Sequence, residues 1–189
     1  MRGFTALTNV LQIEETEYLF CYPANELIEA AAVAGIKPIM SRTERTTVNM
    51  ADGYTRVTNG KRTGVVVTQH GPGIENAFGG VAHAYAESTP ILILPGGTAR
   101  SRIGQPPDFR AVESYQTITK WSAQINQANR IPEMMRRAYT FLRSGRPGPV
   151  MLEVPSDVGE EEIPEEHFDY RRIKGTKSAG NPSDVSIAV

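Results

Sequence analysis

The chain has 189 residues, 40% of them hydrophobic and 22% charged, enough for one domain with a substantial core. Twenty Lys and Arg against 21 Asp and Glu leave a formal net charge of -1, so there is no basic field to attract nucleic acid or an anionic membrane. A single cysteine, Cys21, excludes an internal disulfide and suits a reducing compartment. No apolar run approaches the roughly 18 residues of a membrane span. The N-terminus also lacks the charged-then-apolar layout of a secretory signal, so a cytoplasmic location is expected.

Thr5 to Glu15 reads as a first helix, with Ala6, Leu7, Val10 and Leu11 on one stripe. Tyr18 to Tyr22 is a continuous apolar run, the form of a strand covered on both faces, and Cys21 within it reads as packing. Asn25 is placed to cap a helix carrying Leu27, Ile28, Ala31 and Ala32, which Gly35 stops. Lys37 to Met40 is the next strand. The helix that follows opens near Glu44 and ends near Asn59-Gly60.

Gly64 to Thr68 is a β-branched strand running into Gln69-His70-Gly71-Pro72-Gly73, after which Ala77, Val81 and Ala84 predict a buried helix. Gly79 and Gly80 inside that helix are expected to pack closely on a neighbour. Ile91 to Leu94 predicts a strand ended by Pro95-Gly96-Gly97, and Thr98 to Tyr115 a long loop. Ser122 to Ile125 predicts a short strand. Pro132 opens a helix whose inner face holds Ile131, Met135, Ala138 and Leu142, and Val150 to Val154 is a final strand. Glu160 to Glu162, the longest like-charge run, reads as a solvated loop.

Strand and helix alternate with short connections, the sequence form of an α/β, three-layer doubly wound sheet, mainly parallel, with helices on both faces. The domain is expected to occupy residues 1–165 and a linker residues 166–189. Asn181-Pro182-Ser183-Asp184-Val185 reads there as a helix start left incomplete.

Gly71-Pro72-Gly73 fails the two usual phosphate-loop patterns. Asn76 stands where a dinucleotide fingerprint needs its third glycine, and no lysine lies between Lys61 and Lys120. Glu44 falls where a strand hands over to a helix, the edge at which open α/β sheets bind ligands. A glutamate in a first helical turn is, by itself, usually a partner for the helix dipole.

Two segments carry a more specific signal. Arg42-Thr43-Glu44 followed by Met50-Ala51-Asp52-Gly53-Tyr54-Thr55-Arg56, and then Thr68-x-x-Gly71-Pro72-Gly73-x-x-Asn76, both lie at strand-to-helix edges in that order. Together they resemble the N-terminal pyrimidine-binding domain of thiamine diphosphate enzymes of the acetolactate synthase, benzoylformate decarboxylase and pyruvate oxidase group. The resemblance spans about Ala6 to Glu165. It implies that Glu44 is catalytic and cofactor-binding: its carboxyl meets ring nitrogen N1′ of the aminopyrimidine and favours the imino tautomer that removes the thiazolium proton. Arg42 and Arg45 are expected to point away. Gly71, Pro72, Gly73 and Asn76 would wall the pyrimidine, with Pro23 a lesser contact. Pro23-Ala24-Asn25-Glu26-Leu27 takes the place of the family's first loop, its glycines replaced. Asn25 is then either a plain cap or a substrate-side contact, and His70 a substrate-side candidate, though a loop histidine is more often only a hydrogen-bonding residue. His83 and His167 suggest no metal site.

Acetolactate synthases carry Phe-Gln-Glu upstream of a Thr-Lys pair. Here Thr119-Lys120 is preceded at that spacing by Pro106-Pro107-Asp108, or by Phe109-Arg110-Ala111 if Phe109 is the anchor, so the glutamine is missing. This weakens acetolactate synthesis as the specific activity and leaves a related decarboxylase, lyase or oxidase open. The family's diphosphate and Mg2+ are held by a further domain with Gly-Asp-Gly, a tripeptide absent here. The resemblance therefore implies an excised half-site for a small 2-keto acid, inactive alone and working as a homodimer or tetramer with that missing domain. The rivals are a non-catalytic dimerisation or regulatory module of the same fold, and the separate small subunit of a two-chain decarboxylase.

Overall fold

The computed structural model describes residues 1–23, 25–175 and 179–189; Ala24 of the first loop lies outside the described residues. Helix α1 (Gly3–Ile13) starts two residues earlier than its apolar stripe suggests, because the Gly3 amide donates to the Glu161 carbonyl at 3.0 Å. Strand β1 (Tyr18–Cys21) leads to α2 (Glu26–Val33), capped as expected: Asn25 Oδ1 accepts from the Leu27 amide at 3.0 Å. Strand β2 (Lys37–Met40) leads to α3 (Glu44–Val57), β3 (Gly64–Thr68) to α4 (Pro72–Ala86).

Strand β4 (Ile91–Gly97) runs three residues beyond the predicted stop, since Gly96 and Gly97 continue the ladder opposite Val154 and Pro155. The predicted long loop contains a 3-10 turn (Arg100–Arg102) and a short helix α5 (Ala111–Ser114). Arg100 pins it, donating to Asp157 Oδ2 at 2.7 Å and to Glu161 at 2.9 Å. Strand β5 (Trp121–Gln124), helix α6 (Ile131–Arg143), strand β6 (Val150–Pro155), α7 (Ser156–Glu160) and α8 (Pro182–Ala188) complete the order. The predicted unfinished helix start is thus a short helix with Asn181 as its cap.

All six strands pair in parallel in the order β2-β1-β3-β4-β6-β5. Strand alternation divides the core in two. Leu19, Cys21, Val65, Val67, Leu92 and Leu94 face α1, α2 and α6, while Phe20, Val66, Ile91, Ile93 and Met151 face α3, α4 and α5. The sheet is the middle of three layers. Pro38 is tolerated because β2 is an edge strand. Burial pushes the Cys21 thiol up to about 11, against a lowering bond to the Ile39 carbonyl, which suits a packing residue.

Candidate active site

Strand β1 sends the chain to α2 on one face, and neighbouring β3 sends it to α4 on the other. The two exits diverge at the carboxyl edge and leave a crevice, the place where doubly wound sheets take ligands. Asn25 spans it: besides capping α2, its Nδ2 donates to the Thr68 carbonyl at 2.9 Å. Both polar atoms of Asn25 are therefore engaged within the protein.

A cleft of about 750 Å3 opens at this edge, lined by Pro23, Asn25, Gln69, His70, Gly97 and Arg102 among others. That volume suits a small-molecule site. Pro23 and His70 are exposed. Gly71 has φ +59°, a left-handed value that a Cβ would strain, and it turns the chain into α4, where Pro72 occupies the first turn.

Glu44 opens α3, yet Thr43 does the capping, accepting from the Thr46 amide at 3.2 Å. The carboxyl is left free to point inward and is 7% exposed. Asn76 Nδ2 donates to Glu44 Oε2 at 3.4 Å, and a Cβ on Gly73 would stand 3.7 Å from Glu44 Oε1. Arg42 and Arg45 are exposed, and no ion pair among the described residues joins either to Glu44. The Gln69–Gly73 turn contributes Gln69 and His70 to the large cleft and Gly73 to Glu44, which does not itself line that cleft. The turn thus faces the large cleft on one side and Glu44 on the other.

The rest of the α3 motif is bracing. Asp52 pairs with Arg56 at 2.9 Å, Arg56 reaches Glu87 at 3.4 Å, and the Tyr54 hydroxyl donates to Glu17 at 2.8 Å. The Thr-Lys pair is also structural: Thr119 donates to the Tyr115 carbonyl at 2.7 Å, and Lys120 donates to the Phe141 and Ser144 carbonyls at the end of α6. Gly80 packs closely on α3, since a Cβ there would meet Val48 Cβ at 2.9 Å; Gly79 has only the Arg45 guanidinium near it, at 3.9 Å.

Two polar features at this edge were not assigned a role from the sequence, although Thr68 heads the second signature segment. The Thr68 hydroxyl is buried without a hydrogen-bond partner at the foot of the turn, an orphan that a bound polar group would satisfy. Glu153 on β6 is 8% exposed. Among the described residues no group of three or more His, Cys, Asp or Glu is placed to hold a metal ion, and no helix is long and apolar enough to cross a membrane.

A parallel sheet with a buried carboxyl after β2 and a Gly-Pro-Gly turn after β3, on either side of β1, marks a ligand-binding α/β domain. The chain belongs to the thiamine pyrophosphate enzyme family, residues 1–126 matching its N-terminal TPP binding domain. It is 33% identical over 173 residues to a probable acetolactate synthase large subunit of Methanocaldococcus jannaschii, an alignment covering 89% of this chain and 29% of the relative. The acetolactate synthase isozyme 3 large subunit of Escherichia coli is 35% identical over 164 residues, covering 84% and 28%. The acetolactate synthase large subunit of Lactococcus lactis subsp. lactis is 36% identical over 155 residues, covering 79% and 27%. The chain spans less than a third of the length of these relatives.

Proposed function

We propose that this chain is the pyrimidine-binding half-site of a thiamine diphosphate-dependent 2-keto acid decarboxylase or carboligase, working in the cytoplasm. One observation carries the reading: Glu44 is withdrawn from water at a strand-to-helix edge, with a neutral amide as its partner and no cation beside it. A carboxyl so placed is costly for the fold alone and suits a heterocyclic nitrogen as its missing partner.

When bound, thiamine diphosphate supplies the electron sink for decarboxylation of a 2-keto acid. Glu44 would hydrogen-bond the ring nitrogen N1′ and favour the imino tautomer, with Asn76 donating to its Oε2. Gly71, Pro72 and Gly73 would wall the pyrimidine, Gly73 from beside Glu44 and the other two from the turn, with Pro23 a lesser contact across the large cleft. The Thr68 hydroxyl keeps unused hydrogen-bonding capacity beneath the turn, where it is fully buried. His70 faces the cleft where a substrate would enter, while Asn25 serves by holding the two strand exits together.

The diphosphate and Mg2+ belong to another domain in this reading. The cleft offers one arginine, Arg102, and one histidine, His70, and the sequence holds no Gly-Asp-Gly. A homodimer or tetramer would bring that domain against Glu44. Similarity to acetolactate synthase large subunits supports an acetolactate synthase-like reaction, and the missing Phe-Gln-Glu glutamine leaves a related decarboxylase, lyase or oxidase open. The test is turnover of a panel of 2-keto acids with thiamine diphosphate and Mg2+. The complete protein is expected to release CO2 and the isolated 189-residue chain none; release by the isolated chain would refute the half-site.

A further inference from the structure

Four carboxyl groups are buried among the described residues: Glu14, Glu44, Asp52 and Glu153. Glu14 is paired with Arg143, and Asp52 with Arg56 at 2.9 Å. Those two close internal ion pairs and are structural. The other two have no cation within salt-bridge distance and are each held by a neutral amide. Asn76 donates to Glu44 at 3.4 Å, and Gln124 Nε2 donates to Glu153 Oε2 at 2.6 Å. Burying an unpaired carboxylate is among the costliest things a fold can do, so the exceptions call for a use. Both stand at the carboxyl edge of the sheet, flanking the first turn of α4.

Glu153 is aimed by close packing. A Cβ on Gly97 would come within 2.8 Å of Glu153 Cγ, so only glycine on β4 lets this side chain lie across the strand. It forms part of the wall of a pocket of about 380 Å3 beside the Gly71-Pro72 turn, with His70, Glu75, Thr98, Asp108 and Phe109. Burial raises the carboxyl's proton affinity, Gln124 opposes this, and the negative charge of Asp108 adds to the rise. No lysine or arginine lines this pocket, and Glu75 and Asp108 add negative charge to its walls; the neighbouring hollow that Glu153 also borders holds Arg110, which is paired with Glu113. A second anion is disfavoured there; a small uncharged molecule is not.

We propose that Glu153 is the acid of the acceptor side: its carboxyl hydrogen-bonds and protonates the carbonyl oxygen of a small uncharged aldehyde seated in this pocket. The idea rests on the thiamine diphosphate reading, whose decarboxylated donor fragment supplies the electron pair for the new carbon–carbon bond. As the carbonyl carbon takes that pair, its C=O π bond breaks towards oxygen, and that oxygen takes the proton as the Glu153 O–H bond breaks. The carboxylate left behind recovers its proton from water at the pocket mouth.

The test compares the complete wild-type protein with Glu44→Gln, Glu153→Gln and Glu153→Asp, using thiamine diphosphate, Mg2+, a panel of 2-keto acid donors and a panel of aldehydes. CO2 release and ligated product are measured together. Glu153→Gln is expected to lower the ratio of ligation to CO2 release by about 10²-fold. It should also remove the alkaline fall in kcat/KM for the aldehyde, and Glu153→Asp should restore part of both. An unchanged ratio and pH profile overturns the proposal and leaves the Glu44 reading standing. A parallel fall of both products with a lowered melting temperature makes Glu153 structural, and wild type that ligates no aldehyde also overturns the proposal. Glu44→Gln at the wild-type rate of CO2 release removes the underlying reading as well.

Discussion

Glu44 and Glu153 are each withdrawn from water and answered by an amide, whereas Glu14 and Asp52 are answered by guanidinium groups. Glu44 was legible in the sequence because a motif surrounds it. Glu153 was not: it sits inside Val150–Val154, where the apolar run that marks a covered strand hides one acid. A charge in such a run was the available signal. Its protonation has a consequence for stability. The folded state raises the proton affinity of Glu153 above that of the unfolded chain, whose carboxyl titrates near about 4.3. The stability it contributes is complete below that value and is lost as pH rises through the higher folded value. Glu153→Gln should therefore gain on wild type as pH climbs from acid to neutral in paired thermal melts. A difference independent of pH would contradict this.

At the scale of elements, hydrophobic pattern located every strand and long helix, because a parallel strand covered on both faces has an unbroken apolar sequence. Tertiary contacts set the ends. β4 outruns its predicted stop because β6 offers it a ladder, and α1 starts early because Glu161 takes the Gly3 amide. Strand order was hidden too, since β6, last in the chain, lies inside the sheet between β4 and β5. Gly79 and Gly80 look alike in the sequence but differ in surroundings. Gly80→Val should cost about 1–3 kcal/mol by driving into Val48 on α3. Gly79→Ala, on an open helix face, should stabilise by about 0.5–1 kcal/mol. Urea denaturation of the two variants checks both signs, and equal destabilisation would contradict the α3–α4 packing.

Over the whole molecule, Glu14 binds three distant segments. It ends α1, pairs with Arg143 of α6, and accepts from the Tyr170 hydroxyl at 2.5 Å, with Arg172 at 3.6 Å. Tyr170 is 7% exposed, beyond the boundary at residue 165 that composition suggests. Polar residues after Gly159 disguise this, because one buried tyrosine and one arginine suffice to dock the segment. A chain ending at residue 165 should lose about 2–4 kcal/mol relative to one ending at 175, from the buried ring and its hydrogen bond. Equal denaturation midpoints would place the boundary at 165 after all. The docked segment packs with α1 and α6, on the face of the sheet opposite α3, whose first turn carries Glu44. The proposed half-site is tested most directly through the proton Glu44 is proposed to control. In the complete protein with bound thiamine diphosphate, the thiazolium C2 proton should exchange with solvent at least about 10²-fold more slowly in Glu44→Gln than in wild type. An unchanged exchange rate with the cofactor fully bound would contradict the role of Glu44.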